Sequence, residues 1–508
     1  MKRIVAVLGK LNWAKRACAA FALCAATAIA LPAQTLTTLL EFDGPDGEPA
    51  YAALVQGADG NLYGTTQRGG AYDNHGTIFK ITPNGVYTRL YSFCLHGGPD
   101  CADGSGPNAP LIQAPDGDFY GTTEHGGADC SGGGTFDSGG TVFKVTPVGT
   151  LTTLYTFSSH EFGCNPAAGL VIAPNGDFYG TTSEGPYFHG QTGGSVFKIS
   201  PNGTLTTLYR FCSQAAPQCT DGINPSGLVL AGDGNFYGTT QFGGAGILGF
   251  NGSGTVFKIT PSGTLTTLYS FCPILPCTDG AEPYASEGLT QAADGNFYGT
   301  TILGGAHNSG TVFKITPHGA LSVLYTFCSK QTSNGDCTDG SDPATGLIQA
   351  PGGDFYGTTG AGGRISGTVF TITPTGALTT LHTFCPDNIE SCPAYPGPLA
   401  QATNGDFYGT TTSGGSGAGG TIFRLSMGLG PFVEPQTTLG HAGSAVNILG
   451  TDLTGATSVS FNGAAAVFEV FSSSLIGAIV PDSATSGKVE VVTPSGTLFS
   501  NVPFWVLP

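Results

Sequence analysis

Charged residues are scarce in this sequence. They make up only 10% of its 508 residues, and 17 Lys and Arg stand against 34 Asp and Glu, which gives a formal net charge of −17. A surface that binds nucleic acid or anionic lipid needs clustered Lys and Arg side chains. The composition therefore excludes a nucleic-acid partner and predicts an acidic, mostly uncharged surface.

Common catalytic motifs and long apolar runs are also missing. The chain has no zinc-protease helix motif, phosphate-binding loop, dinucleotide fingerprint or nucleophile elbow. The one apolar run, at residues 17–31, follows five Lys and Arg residues and precedes the small residue Ala33. That order predicts a secretory signal peptide over residues 1–33, with no transmembrane segment left after its removal.

Glycine, in contrast, is abundant, with 82 residues set between β-branched and aromatic runs. The octet "DGNFYGTT" and its close variants recur along the chain. Successive octet tyrosines lie 52 to 61 residues apart, at Tyr63, Tyr120, Tyr179, Tyr237, Tyr298, Tyr356 and Tyr408. A steady period of this length indicates a repeat architecture.

Each repeat contains four short stretches with strand character, exemplified by residues 227–231, 235–240, 254–260 and 264–271. Asp-Gly or Asn-Gly joins the first two stretches, and a "TPSG"-type turn joins the last two. Both are connections of tight hairpins. Each repeat is therefore expected to form a four-stranded antiparallel sheet, the blade of a β-propeller.

The number of fourth strands predicts how the repeats close. Seven "GTVFK"-type stretches occur, but only six are followed by a "TLTTLYSF"-type stretch, and the seventh copy lies at residues 35–42, ahead of all others. Residues 34–426 are thus predicted to form an all-β, seven-bladed β-propeller closed by its N-terminal strand, which leaves no exposed sheet edge. Residues 430–508 lack the octet, and their alternating strands predict an immunoglobulin-like β-sandwich.

The pattern "P..GL..a.DGnfYGTT..GG....GTVFkitp.GtltTLysF" over residues 35–426 resembles the GloVer tandem repeat of choice-of-anchor secreted bacterial proteins. That resemblance implies export and, usually, a C-terminal sorting tag, but no particular activity. The chain departs from the pattern by ending in a folded-looking segment. Its stretches "TDLTGATSVSFNG" and "TSGKVEVVTPSG" are similar to IPT/TIG domains, which implies a spacer or a binding module.

Twelve cysteines lie beyond the predicted signal peptide. Ten form close pairs in the loops after fourth strands: Cys94 with Cys101, Cys212 with Cys219, Cys272 with Cys277, Cys328 with Cys337, and Cys385 with Cys392. In an exported protein such spacing predicts disulfides, whereas zinc would require closer spacing or nearby His ligands. Cys130 and Cys164 remain, and we predict that they pair with each other.

The long, variable connections should collect on one face of the repeats. Turns after first and third strands lie on one side of a blade, and the links after second and fourth strands lie on the other, which we call the loop face. Variable loops on a rigid scaffold commonly carry binding residues. The candidate ligand-binding residues on this face are Asp103, Asp221, Asp279 and Asp339 of the "DG..P" elements, together with Tyr187 and His189. A purely structural turn is the favoured interpretation of the "DG..P" elements, because Asp-Gly makes a turn and Pro starts the next strand.

Two groups of titratable residues could support acid–base chemistry on the loop face. One contains Glu124, His125 and Asp129, and the other contains Glu184 and His189 beside Tyr187. Isolated polar residues in Gly-rich loops are more often simply solvated. No metal site and no cofactor are predicted; calcium at the "DGD" and "DGN" elements is an alternative, but hairpin geometry already accounts for them.

Three functions remain open from the sequence. The first is a secreted or cell-surface protein without catalytic activity, whose loop face binds an extracellular glycan or protein. The second is an extracellular enzyme that acts on polysaccharide through Glu124, His125 or His189. The third is a purely structural surface protein. The repetition itself favours architecture and binding over a single active site.

Overall fold

A computed structural model describes residues 34–72, 74–95, 101–128, 139–158, 163–184, 187–188, 191–212, 219–245, 252–283, 288–362, 366–386 and 392–507. The secondary structure of these residues is β-strand, joined by turns and loops. Within the same ranges, no helix has the length and apolar character needed to cross a membrane.

Seven four-stranded antiparallel sheets contain the repeats in the described residues. The strand β1 (Thr35–Glu41) precedes them. Sheet 1 consists of β2 (Val55–Gln56), β3 (Leu62–Thr66), β4 (Thr77–Ile81) and β5 (Tyr87–Ser92). Sheet 2 consists of β6 (Ile112–Gln113), β7 (Phe119–Thr123), β8 (Thr141–Val145) and β9 (Leu151–Thr156). Sheet 3 consists of β10 (Val171–Ile172), β11 (Phe178–Thr182), β14 (Ser195–Ile199) and β15 (Leu205–Arg210), with the small hairpin of β12 (Tyr187–Phe188) and β13 (Gln191–Thr192) between them.

The remaining repeat sheets have the same order. Sheet 4 consists of β16 (Ile223–Leu230), β17 (Phe236–Phe242), β18 (Thr255–Ile259) and β19 (Leu265–Ser270). Sheet 5 consists of β20 (Thr290–Gln291), β21 (Phe297–Thr301), β22 (Thr311–Ile315) and β23 (Leu321–Thr326). Sheet 6 consists of β24 (Ile348–Gln349), β25 (Phe355–Thr359), β26 (Thr368–Ile372) and β27 (Leu378–Thr383). Sheet 7 consists of β28 (Ala394–Gln401), β29 (Phe407–Ser413), β30 (Thr421–Ser426) and β1.

The N-terminal strand supplies the fourth strand of the last sheet, as the sequence predicts. β1 pairs antiparallel with β30, from Thr35 opposite Ser426 to Glu41 opposite Thr421. One expectation differs in detail: the first strand of a repeat has only two ladder residues in five of the seven sheets.

Residues 430–507, called here the C-terminal segment, form two further four-stranded sheets around one core. Their strands are β31 (Glu434–Pro435), β32 (Leu439–His441), β33 (Ala445–Leu449), β34 (Ser458–Phe461), β35 (Ala464–Ala465), β36 (Val467–Val470), β37 (Leu475–Ile479), β38 (Val489–Thr493), β39 (Gly496–Phe499) and β40 (Trp505–Leu507). The sheet orders are β31-β33-β37-β36 and β35-β34-β38-β39, and β32 pairs with β40. Ile448, Ile476, Val459 and Val491 from both sheets are fully buried together.

The tyrosine of each octet joins one repeat sheet to the next. In six of the seven octets its ring packs on the octet phenylalanine of the following sheet, as with Tyr237 on Phe297 at a centroid distance of 4.1 Å. Five more such pairs have distances of 4.0 to 4.3 Å: Tyr63 with Phe119, Tyr120 with Phe178, Tyr179 with Phe236, Tyr298 with Phe355, and Tyr356 with Phe407. These aromatic pairs contribute to the core between consecutive sheets.

The two threonines of the octet have different roles. The first donates to a backbone carbonyl in the next sheet, as Thr300 Oγ1 does to Thr345 O at 2.9 Å. The second bonds a third-strand hydroxyl in its own sheet, as in Thr301 Oγ1 to Thr311 Oγ1 at 2.9 Å. The octet therefore binds its sheet internally and to its neighbour, which explains its recurrence.

Sheet 7 contacts sheet 1 through the same interactions, so the packing is cyclic. Tyr408 and Ile422 of sheet 7 share a buried cluster with Leu62 and Phe79 of sheet 1. Thr410 Oγ1 donates to Ala50 O at 2.8 Å, as the equivalent threonines do elsewhere. Leu62 stands where the other octets have phenylalanine, which accounts for the variant "DGNLYGTT".

The hairpin aspartates of the octets are engaged by neighbouring side chains. Asp294 Oδ2 accepts from Tyr298 Oη at 3.0 Å and from Lys314 Nζ at 2.7 Å. Burial acts to raise the pKa of Asp294, but these hydrogen bonds outweigh it and lower that pKa below its ordinary value. The lysine supplies positive charge at the point where calcium would be expected to bind, so the hairpin interpretation accounts for these residues.

A glutamine at the end of the first strand ties four sheets to their predecessors. Its Oε1 accepts the N–H of a hairpin residue in the preceding sheet, at 2.8 to 3.0 Å, in the pairs Gln56 with Thr403, Gln113 with Ala58, Gln291 with Gly232, and Gln349 with Ala293. In the other three sheets the hairpin residue is a proline, which has no N–H. Two of those sheets carry Ile172 and Leu230 instead of glutamine, and Gln401 Oε1, which would face Pro351, is buried without a partner among the described residues.

This pattern predicts opposite effects for two equivalent substitutions. Gln291→Leu should destabilise the protein by about 1 kcal/mol, because the Gly232 N–H loses its acceptor. Gln401→Leu should be neutral or stabilising, because it removes a buried oxygen that makes no hydrogen bond. Thermal unfolding of both variants beside the unmodified protein checks the prediction. Equal losses of Tm would contradict it.

Candidate functional site on the loop face

The first strands of six repeat sheets line two cavities, which together we call the channel. One cavity is lined by residues from the first strands of sheets 1, 2, 6 and 7, and a second is lined by those of sheets 2, 3 and 4. Both cavities include Ile112 and Gln436, so they adjoin. Each first strand therefore has one end at the hairpin side of the channel and the other at the loop face.

The C-terminal segment covers the hairpin end of this channel. Ser474 Oγ donates to Ala58 O at 2.6 Å, and Gln436 Nε2 donates to Gln113 Oε1 at 3.0 Å. Across the opening, the Trp505 ring lies so close to Gly232 that a Cβ there would be 2.2 Å from the indole. The loop-face end of the channel is the end that these contacts leave uncovered.

At the loop-face end, each first strand begins with a residue directly before a proline. We call these seven residues the pre-proline collar: Glu48, Gly106, Asn165, Asn224, Glu282, Asp342 and Tyr395. Six of them, all except Glu48, have φ angles between 54° and 63°. The same left-handed backbone therefore recurs around the channel with different side chains.

Hydrogen bonds from neighbouring residues hold this backbone in place. Glu282 N donates to Ser253 O of the preceding repeat at 2.9 Å, and Ile302 N donates to Glu282 O at 3.1 Å. Pro283 packs on Gly254, where a Cβ would lie 2.5 Å from the proline Cδ. The close approach explains why a glycine stands directly before the third strand in the sheets where such a contact occurs.

The left-handed conformation carries a cost for most of these residues. Non-glycine residues in this region cost about 1–3 kcal/mol each, and such strain concentrates at functional sites. Asn and Asp tolerate it best, whereas Glu and Tyr do not favour it. Glu282 and Tyr395 are thus held in an unfavourable backbone conformation beside the channel mouth.

The collar presents amides, carboxylates and an aromatic ring. Asn224 Nδ2 donates to Gln241 Oε1 at 2.7 Å, and Asn165 Oδ1 is buried with no hydrogen-bond partner in the described part of the chain. Burial raises the pKa of Asp342 above its ordinary value. Tyr395 has 43% of its surface exposed. The group is polar and acidic, with capacity for hydrogen bonds to a ligand.

A second exposed tyrosine lies beside Tyr395 where sheet 7 meets sheet 1. Tyr51 follows the first-strand proline of sheet 1 by two residues and is 42% exposed. A Cβ built on Gly397, two residues after Tyr395, would be 3.3 Å from Tyr51 O. The two tyrosines therefore come from adjoining backbone segments, and we refer to them together as the aromatic sector.

Five disulfides close loops on this face. They join the five cysteine pairs expected from the spacing: Cys94–Cys101, Cys212–Cys219, Cys272–Cys277, Cys328–Cys337 and Cys385–Cys392. Cys164 is also disulfide-bonded. Cys130, its predicted partner, lies outside the described residues, so that pairing stays a prediction.

The aspartates of the "DG..P" elements hold the disulfide loops. Asp279 Oδ2 accepts from Tyr269 Oη at 2.7 Å and from Cys272 N at 3.1 Å. Asp103, Asp221 and Asp339 accept in the same way from a fourth-strand tyrosine and from loop N–H groups. Burial, together with the aspartate, raises the pKa of Tyr269 above its ordinary value. One oxygen of each predicted ligand-binding carboxylate is thus committed to its own loop.

The first group of candidate acid–base residues is partly described. His125 Nε2 lies 3.9 Å from Glu124 Oε2, and His125 Nδ1 is buried and has no hydrogen-bond partner within the ranges that the structure describes. Glu184 lies at the corresponding turn of sheet 3, where its carbonyl accepts from Cys164 N at 2.9 Å. Asp129 and His189 lie outside the described residues, and Tyr187 is described only as a backbone position in β12.

The collar could not be recognised as a site from the sequence, although a signal for it exists. The residue before the first-strand proline is polar in five of the seven repeats and tyrosine in one. Its left-handed conformation is not predictable locally, because a following proline ordinarily favours an extended backbone. Only the contacts between sheets fix it.

The fold and these loops define a disulfide-rich repeat protein with a propeller-like arrangement of sheets. Five disulfides indicate an extracellular or surface protein. The chain belongs to the Gloeobacter/Verrucomicrobia repeat family, whose pattern matches residues 26–138, 130–336 and 277–465. This confirms the repeat resemblance found in the sequence, while the predicted signal peptide lies outside the described residues.

Several solved structures are similar to the chain at low identity. PorZ, a surface component of the type-IX secretion system of Porphyromonas gingivalis, is 14% identical, with 92% of this chain and 61% of that chain covered and a TM-score of 0.43. A Bacteroides thetaiotaomicron protein of unknown function is 13% identical, with 78% and 76% covered and a TM-score of 0.39. A luciferin-regenerating enzyme is 11% identical, with 78% and 97% covered and a TM-score of 0.37. No curated protein matches the chain significantly.

The Asp279 contacts predict a mainly structural role for that carboxylate. Asp279→Asn should destabilise the protein by about 1–2 kcal/mol, because a charge-assisted acceptor for two donors is weakened. Thermal unfolding and amide exchange of residues 272–280 measure the effect. The matched control is Asp482→Asn, at an exposed aspartate of the C-terminal segment. An unchanged Tm with lost ligand binding would instead assign Asp279 to a binding site.

Proposed function

We propose that the protein is an extracellular binding protein whose uncovered channel mouth, on the loop face, takes a glycan. Sheets 1 to 7 are the blades of a seven-bladed propeller over residues 34–426 in this proposal. The observation that carries it is the pre-proline collar with its aromatic sector, at the one end of the channel that the C-terminal segment leaves uncovered.

The chemistry of the collar favours a neutral glycan. Sugar rings have apolar faces that pack on aromatic side chains, and Tyr51 and Tyr395 are both exposed there. The carboxylates of Glu282 and Asp342 accept hydrogen bonds from sugar hydroxyls, and an amide such as that of Asn224 can accept or donate them. Because the collar and the whole chain are acidic, a polyanionic glycan would be repelled.

An extracellular polysaccharide-acting enzyme is the second candidate. It rests on the Glu124 and His125 side chains, whose carboxylate and imidazole lie 3.9 Å apart on the same face. A general acid or base needs closer contact with the reacting group, although such contacts tighten when substrate binds. Binding without turnover is therefore the main proposal, and product release distinguishes the two.

The C-terminal segment is proposed to act as an IPT/TIG-like β-sandwich that closes the hairpin end of the channel. Support comes from its two sheets around one core and from the contacts of Gln436 and Ser474 with the repeat sheets. In this arrangement it serves as a structural cover rather than a flexible spacer. The third possibility, a purely structural surface protein, predicts no glycan binding at all.

Glycan binding should depend on the two exposed tyrosines. Tyr51→Ala and Tyr395→Ala should each weaken binding of a neutral oligosaccharide about tenfold, the equivalent of ~1.4 kcal/mol, because the aromatic surface for the sugar ring is lost. Arrays of neutral and uronic-acid glycans identify the ligand, and calorimetry with the mature chain measures the affinities.

Two controls sharpen this test. Phe471→Ala removes an exposed aromatic side chain of the C-terminal segment and should leave binding unchanged. If the protein only binds the glycan, the unmodified protein should release no sugar, and neither should the variants Glu124→Gln and His125→Ala. Sugar release by the unmodified protein that these two substitutions abolish would instead support the enzyme. Saturable binding that survives both tyrosine substitutions would exclude the aromatic sector.

A further inference from the structure

The first of the two cavities that form the channel reaches the C-terminal segment at the hairpin end. Its volume is about 270 Å³, and an adjoining cavity of about 180 Å³ extends along sheets 2 to 4. Aliphatic side chains form much of the wall, among them Leu54, Ile112, Ile348, Leu399 and Leu449. An apolar cavity with a few polar groups is the usual form of a small-molecule site.

One carboxyl group of the C-terminal segment lines this cavity. Glu434 lies at the start of β31, whose partner strand is β33. Among the residues that line either cavity in the described chain, Glu434 is the one ionisable residue. Its carboxyl has no hydrogen-bond or ion-pair partner among the described residues, and burial raises its pKa to about 7.

The amides around Glu434 are already committed to other partners. Gln56 bonds Thr403 through both its oxygen and its nitrogen, at 2.8 and 3.1 Å. Gln113 Oε1 accepts from Gln436 Nε2 at 3.0 Å, and Gln436 Oε1 accepts from Asn447 Nδ2 at 3.0 Å. The carboxyl of Glu434 and Gln401 Oε1, which also lines the cavity, are therefore the side-chain acceptors there that have no partner among the described residues.

We infer that this capped cavity binds a small aliphatic amine, with Glu434 as the partner of its ammonium group. The apolar wall takes the hydrocarbon body, and the carboxylate balances the charge in a place where an unpaired charge is costly. A metal ion fits poorly, because it would need several oxygen ligands and, apart from Gln401 Oε1, the neighbouring amide oxygens are occupied. This site is separate from the loop-face site and does not depend on the proposed glycan binding.

Proton linkage provides a readout specific to Glu434. Because its pKa is raised, Glu434 holds a proton in part of the amine-free molecules near neutral pH, and an ammonium ion in contact favours the ionised carboxylate. Binding should therefore release protons at pH 7 and more of them at pH 6. The amine itself stays protonated across this range, as a lysine side chain does.

The test uses cyclohexylamine and its uncharged counterpart cyclohexanol with the full mature chain. Calorimetry at pH 7 and pH 6, in two buffers of different ionisation enthalpy, gives affinity and proton release. Cyclohexylamine should bind at least tenfold more tightly than cyclohexanol and release protons. Glu434→Gln should reduce the amine affinity to the level of the alcohol and abolish the release. Glycan binding should be unchanged in this variant.

The stability of the protein without bound amine provides a control for the Glu434→Gln variant. The pKa of Glu434 is raised on folding from its ordinary value of 4.5 to about 7, so the folded state binds more protons between these values. Stability should fall as pH rises from about 4.5 to about 7, and Glu434→Gln should remove that loss and have a higher Tm than the unmodified protein at pH 8. Equal affinities for amine and alcohol, undiminished amine binding by the variant, or no saturable binding of either probe would overturn the inference.

Discussion

The contact between neighbouring repeat sheets is the interaction on which this structure depends. The buried clusters of the repeats each join two consecutive sheets, so a single sheet in isolation would leave its apolar faces in water. The octet supplies that contact with a stacked tyrosine and a threonine that donates to the next sheet. Because each sheet needs a neighbour on both sides, sheet 7 must meet sheet 1, and the pairing of β1 with β30 completes the last sheet for that contact. Closure thus follows from the same residues that repeat.

The contacts between neighbouring sheets also show how the residue in one hairpin limits the residue that can face it in the next sheet. A proline in the hairpin makes the turn more rigid. It also lacks the backbone N–H that would donate a hydrogen bond to the glutamine of the next sheet. Ile172 and Leu230 replace glutamine where the hairpin residue is Pro115 or Pro174, so the loss of the donor is matched by the loss of the acceptor. Gln401 is the exception, and its buried oxygen has no partner. The covariation lies within one chain and has a direct physical cause.

Much of the fold could be predicted from the sequence, because strand stretches, hairpin turns and paired cysteines are local signals repeated several times. The place of β1 as the fourth strand of sheet 7 could be predicted by counting the strands of each type. The functional residues were harder to identify, since Asp103, Asp221, Asp279 and Asp339 repeat like ligands yet hold their own loops. The collar conformation, the cover over the channel and the partnerless Glu434 depend on contacts between distant segments. No local pattern encodes those contacts.

A symmetric scaffold acquires a specific site where its repeats differ at equivalent positions. The collar backbone is nearly constant in six sheets, held by the same hydrogen bonds, while its side chains change from glycine to asparagine, carboxylate and tyrosine. The constant backbone fixes where each side chain begins, so a substitution there alters chemistry without altering position. The strain at Glu282 and Tyr395 is sustained by inter-sheet contacts that the repeat supplies in any case. The same contacts between neighbouring sheets therefore produce both the regular architecture and the asymmetric channel mouth.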